Sequence, residues 1–193
     1  MLKHKSLFKA TLVMLFALLT GCSQSDGYST SKNEAVEVIH GYTLPPEPDP
    51  AINNSTLLGI DSNDNGVRDD VEIWILKKYK DKYPIYTEIA MQSARASKKV
   101  LENPERAKEF HDYVNSAYFC ASYYRVCDNN STIDIDSLIL DENFRTKVFN
   151  TEEREKAYWK YDSALSGDSY TIPWCSERQQ LCDFNTTKFE QIP

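Results

Sequence analysis

Beyond residue 66, hydrophobic positions recur every three or four residues through most of the chain, a period that predicts helices. Val71, Trp74 and Ile75 mark one face of a helix over 69–79. A second helix is expected from Pro84, a favoured first-turn residue, to about Leu101. Its flank of Ala90, Ser93, Ala94, Ala96 and Ser97 is small enough for another helix to approach closely. The third carries the clearest stripe: Asn103 caps it, Pro104 opens it, and Phe110, Tyr113, Ala117, Cys120, Tyr124 and Cys127 share its inner face. A shorter helix is expected over 138–149. Another begins after Thr151, an N-cap followed by Glu152 and Glu153 at the positive end of the helix dipole. It stops at Ser166-Gly167, with Tyr158, Tyr161 and Leu165 inward. Pro173 opens a last short helix that reaches Cys182. The expected fold class is all-α, a small helical domain.

The N-terminal part breaks this pattern. Lys3, Lys5 and Lys9 precede a run over 10–19 that is apolar except for Thr11. Such a helix covers about 15 Å, half of a hydrocarbon core about 30 Å thick, so it reads as an export signal rather than a permanent span. Residues 23–42 are polar and aperiodic, and Pro45, Pro46, Pro48 and Pro50 then favour extended polyproline geometry. The expected organisation is a signal peptide over 1–21, a flexible tether over 22–50 and a single domain over 51–193.

The junction Leu19-Thr20-Gly21-Cys22 resembles the lipobox of bacterial lipoproteins. The resemblance implies cleavage before Cys22, a diacylglycerol on its thiol and an acylated amino group. Acyl chains in that number give stable anchoring where one would be marginal. Ser23 after the cysteine implies, by the sorting rule of enteric bacteria, the outer membrane facing the periplasm. An ordinary secretory signal with an incidental cysteine is the competing reading.

Charge narrows the partners. Without residues 1–21 the chain keeps 19 basic residues against 29 acidic ones, a net charge of about −10 with His neutral. Such a surface repels phosphates, which argues against nucleic acid as a partner. Beyond Cys22 the cysteines are Cys120, Cys127, Cys175 and Cys182, two Cys-x6-Cys pairs. In an oxidising compartment they read as two disulfides, against a zinc site, whose thiolates usually sit two to four residues apart. Cysteines seven apart on one continuous helix are about 10.5 Å apart, too far to bond. Two antiparallel helical segments would pair Cys120 with Cys182 and Cys127 with Cys175. If Cys127 or Cys182 lies in a loop, Cys120–Cys127 and Cys175–Cys182 remain open.

The sharpest chemical motif runs from Asp61 to Glu72, Asp-Ser-Asn-Asp-Asn-Gly-Val-Arg-Asp-Asp-Val-Glu. It matches the twelve-residue EF-hand calcium loop position by position. Asp61, Asn63 and Asn65 supply side-chain oxygens, Gly66 the sharp turn, Val67 a backbone carbonyl, Asp69 a direct or water-borne contact, and Glu72 both carboxylate oxygens. A polar turn in which Asp69 or Asp70 merely caps the helix is the plainer reading. Residues 51–60 are too short and too rich in Asn and Gly for an entering helix, so the segment resembles dockerin-type extracellular loops. A single such loop points to a structural calcium ion.

Other chemistry is sparse. His111 lies beside Asp112, but adjacent residues on a helix point apart. Glu152, Glu153 and Glu155 fit a solvated helix start, and Tyr118, Tyr123, Tyr124, Tyr158, Trp159 and Tyr161 fit packing. No catalytic residue is assigned. The chain as a whole resembles Gram-negative envelope lipoproteins that carry such a loop, a resemblance that implies no activity. The expectation is a calcium-stabilised, non-catalytic interaction module, anchored to the membrane by lipid, for an envelope protein or glycan. The alternative is a hydrolase of peptidoglycan or another envelope polymer that uses an acidic pair.

Overall fold

The structure, a computed structural model, describes residues 36–128 and 142–189. The expected export segment, Cys22 and residues 138–141 of the shorter expected helix lie outside these residues. The described chain is mostly helical. In order it forms the strands β1 (Val38–Ile39) and β2 (Tyr42–Thr43), then α1 (Pro50–Asn53), α2 (Asp69–Tyr79), α3 (Pro84–Glu102) and α4 (Ala107–Val126). After these come α5 (Glu142–Val148), α6 (Glu152–Ala164) and α7 (Cys175–Arg178), with 3₁₀ turns at Pro104–Arg106, Gln179–Leu181 and Thr186–Phe189. Among the described residues no helix is long and apolar enough to cross a membrane.

The small flank of α3 does what its composition suggests. Ala90, Met91 and Ala94 are buried against Cys120, Ala121 and Tyr124 of α4, while Val71, Ile75 and Tyr79 of α2 close the same core. The hydroxyls of Ser93 and Ser97 donate back to the carbonyls of Ile89 and Ser93, each at 2.8 Å, so polar side chains on this flank add no unmet donors. A second cluster joins Val100 and Ala107 to Tyr161 of α6. Thr151 caps α6 as expected, its hydroxyl accepting the Arg154 N–H at 3.2 Å.

The cysteines pair in the antiparallel, cross-linked arrangement. Cys120 bonds Cys182 and Cys127 bonds Cys175, with Cα–Cα separations of 4.9 and 5.5 Å. Both bridges staple the C-terminal segment along α4. The bridged residues are 62 and 48 apart in sequence, and loops of such length correspond to about 4 kcal/mol each in the chain-entropy account.

Several expectations differ from what is seen: Asn103 makes no capping hydrogen bond, Pro104 opens a 3₁₀ turn, and α4 itself starts at Ala107. Residues 36–50, assigned to the tether, are packed on the domain. His40 and Gly41, both with positive φ, form the two-residue turn of a hairpin in which Val38 pairs Thr43 and Ile39 pairs Tyr42. His40 Nδ1 lies 2.8 Å from Thr87 Oγ1, and the Tyr42 hydroxyl donates to Glu88 at 2.7 Å. On α4, Tyr113 is 48% exposed rather than buried. Opposite it α3 presents Arg95, Lys98 and Lys99, whose length keeps the groove open where alanines would close it.

Charged side chains hold the segment between α1 and α2. Arg154, with no solvent exposure, donates to the carbonyls of Asn53 (2.6 Å), Thr56 (3.0 Å) and Leu57 (2.9 Å) and to the side chains of Asn54 (2.9 Å) and Asn150 (2.6 Å). Burial, with the nearby charge of Arg68, pushes its pKa down to about 10, which leaves it protonated at neutral pH. Arg68 pairs Asp70 and donates to the carbonyls of Lys147 and Val148, both at 3.0 Å, tying the end of α5 to the start of α2. Gly59 lies where these side chains converge: its φ is +67°, and a Cβ there would stand 2.3 Å from Arg68 Cδ. Arg154→Met removes the common donor of those acceptors, and urea unfolding should show a loss of about 3 kcal/mol or more. A loss below about 0.5 kcal/mol would mean that water replaces the guanidinium without penalty.

Candidate metal centre

Local sequence builds the loop between Asp61 and Glu72. The carboxylate of Asp61 accepts the N–H groups of Asn65 (3.1 Å) and Gly66 (3.0 Å), which bends the chain back on itself, and Gly66 takes φ +85°. Asn63 Oδ1 accepts the Asn65 N–H at 3.2 Å, and Asn65 Oδ1 accepts that of Val67 at 2.9 Å. The two ends are tied by the Asp69 N–H to the Ile60 carbonyl (2.8 Å) and the Ser62 N–H to Asp69 Oδ1 (2.9 Å). Val67, 1% exposed, plugs the loop into the main core.

The first turn of α2 carries Asp69, Asp70 and Glu72, all buried, at the end of the helix where the dipole favours negative charge. Their situations differ. Asp70 is matched by Arg68, with Lys147 3.4 Å away. Glu72 is fully buried, and one of its oxygens, Oε2, accepts the amide N–H groups of Asn63 (3.2 Å) and Asn65 (2.8 Å). Its other oxygen, Oε1, and Asp69 Oδ2 are buried with no hydrogen-bond partner. Burial raises the Glu72 pKa against the two amide contacts, and the charges of Asp69 and Asp61 add to the rise.

Unmet buried carboxylate oxygens are costly and uncommon. Two of them within a loop of hard oxygen donors are what a calcium ion would relieve, so the residues present fit that ion. Among the described residues no three His, Cys, Asp or Glu side chains are gathered closely enough to hold a metal by themselves. The loop offers a mixed set of carboxylates, amides and a carbonyl, in which the Asn63 and Asn65 amino groups, rather than their oxygens, face Glu72.

One contact with this loop had no sequence signal. Lys98, on α3, places its ammonium 2.9 Å from Asp61 Oδ2, 37 residues away in sequence. The remaining candidates are dispersed. His111 Nδ1 lies 3.6 Å from Asp168. The cleft between α5 and α6 is lined by Glu142, Glu152 and Glu155, all exposed, and hydrogen bonding and charge from Lys156 hold Glu152 below the usual carboxylate range.

Because an ionised Glu72 is uncompensated without a cation, Glu72→Gln should melt in chelator at a temperature equal to or above that of wild type. A fall of several degrees would mean that the carboxylate is already satisfied. The chain matches no protein-family model, no curated protein and no solved structure.

Proposed function

We propose that the protein is an envelope lipoprotein whose domain is a calcium-stabilised, non-catalytic interaction module. The observation that carries this reading is the pair of buried, unpartnered oxygens, Glu72 Oε1 and Asp69 Oδ2, inside a loop with the residue order of a calcium site. Asp61, Asn63, Asn65, the Val67 carbonyl, Asp69 and Glu72 would hold the ion. Bound calcium would supply the positive charge that this buried acidic cluster lacks.

The role is structural rather than switching. The loop is joined to the core through Val67 and Val71 and to α5 through Arg68, and the segment that leads into it is held to α6 by Arg154, so it is braced on both sides. An affinity of about 10⁻⁴ to 10⁻³ M, usual for extracellular modules, suits a compartment rich in calcium. Tenfold to hundredfold excess over Kd adds about 1 to 3 kcal/mol of stability. The lipobox-like Leu19-Thr20-Gly21-Cys22 supports anchoring through Cys22, and the disulfides fit an oxidising compartment.

A candidate partner surface lies between α4 and the chain that follows α6. Tyr118, Val126, Tyr170 and Ile172 are exposed apolar side chains around a shallow pocket bordered by Arg125 and Arg178. Aromatic side chains with arginine are the composition of binding hot spots, and an envelope protein or a glycan fits such a surface.

Calorimetric titration with calcium chloride should give one binding event per chain in wild type, and at least a tenfold weaker one in Asp61→Ala. Absence of binding in wild type would refute the calcium part of the reading. Cys22→Ala should move the protein from the membrane pellet to the soluble fraction; continued sedimentation with membranes would refute the lipid anchor.

A further inference from the structure

Asp61, Asp69 and Glu72 share one loop but are unequally compensated. Asp61 is satisfied: its oxygens accept two backbone N–H groups, and Oδ2 also accepts the Lys98 ammonium at 2.9 Å. Asp69 and Glu72 each keep a buried oxygen without a partner. Besides its two backbone donors, Asp61 has one cation, donated from another helix.

Lys98 is one of three basic residues, with Arg95 and Lys99, that line the cleft beside Gly66. The other two are committed elsewhere: Arg95 forms two hydrogen bonds of 2.7 Å with Asp183, and Lys99 pairs Glu102 at 2.8 Å. Lys98 alone turns to the loop. The pair is partly shielded, with the Asp61 side chain 13% exposed and that of Lys98 31% exposed, so its charge is screened less than that of a surface lysine.

We propose that Lys98 is a built-in counter-cation that sets the calcium threshold of the loop, and this rests on the calcium reading above. It neutralises Asp61 while the loop holds no ion, and its charge opposes any divalent cation that Asp61 helps to hold. Lys98 serves Asp61 and leaves the orphaned oxygens of Asp69 and Glu72 unrelieved. Lys98 therefore stabilises the ion-free domain and weakens calcium binding.

The test is calorimetric titration of the full chain in detergent at low salt with calcium chloride, comparing wild type, Lys98→Met, Lys98→Gln, Lys98→Arg and Lys99→Met, with melts of each in chelator. Lys98→Met and Lys98→Gln should bind calcium about three- to tenfold more tightly yet melt lower in chelator. Lys98→Arg and Lys99→Met should stay within about twofold of wild-type affinity. Salt should narrow the gap between Lys98→Met and wild type. Should Lys98→Met fail to fold without calcium, Lys98→Gln and the salt dependence carry the comparison. Equal or weaker binding in both neutral variants, with wild type binding normally, overturns the role of Lys98 alone. A wild type that binds no calcium overturns the calcium reading and this role together.

Discussion

The start of α2 buries more negative charge than its surroundings neutralise, and much of the structure can be understood as a response to that constraint. Asp69, Asp70 and Glu72 sit in one helical turn with almost no solvent exposure. The helix dipole offsets part of this, Arg68 matches Asp70, and the amides of Asn63 and Asn65 solvate one oxygen of Glu72. These responses end short of balance, and the remainder falls on two orphaned oxygens. The proposed calcium ion would supply charge of the sign that is missing.

Such a loop needs rigid flanks. In a paired EF-hand a helix leads into the loop; here the leading segment is a short α1 followed by irregular chain. Arg154 stands in for a helix by gathering the carbonyls of Asn53, Thr56 and Leu57 around one guanidinium, and the Asn53 side chain in turn accepts the Ile60 N–H at 2.9 Å. On the other side α2 packs on α3, α3 on α4, and the disulfides fix the C-terminal segment to α4. Arg95, whose side chain lies beside Gly66, extends that support to Asp183, which follows the bridged Cys182.

The helices were legible because their signals are local. Pro84, Thr151 and the apolar period mark α2, α3 and α6 without reference to the rest of the molecule. The hairpin over 38–43 was missed although His40-Gly41 between Val38-Ile39 and Tyr42-Thr43 is a recognisable turn signal; the prolines after it outweighed two-residue strands. Exposure of Tyr113 depends on which residues of α3 lie opposite, and the choice between the two disulfide pairings depends on how the segments around the cysteines run past each other. The polar turn that starts at Asp61 was readable, since the residues that form it are contiguous. Arg154 lies in a run of charges that looks solvated, and Lys98 on a mixed helix face. Only tertiary structure brings either to its partners.

Calcium binding by the buried acids of this loop is the proposal on which the rest depends. Its most direct test is the melting temperature of the oxidised protein in chelator and in millimolar calcium, with Asp61→Ala and Glu72→Ala measured alongside. Calcium should raise it by several degrees in wild type and in neither variant. An unchanged wild-type melting temperature, together with no direct binding of calcium, would contradict it and reduce the loop to a capped turn.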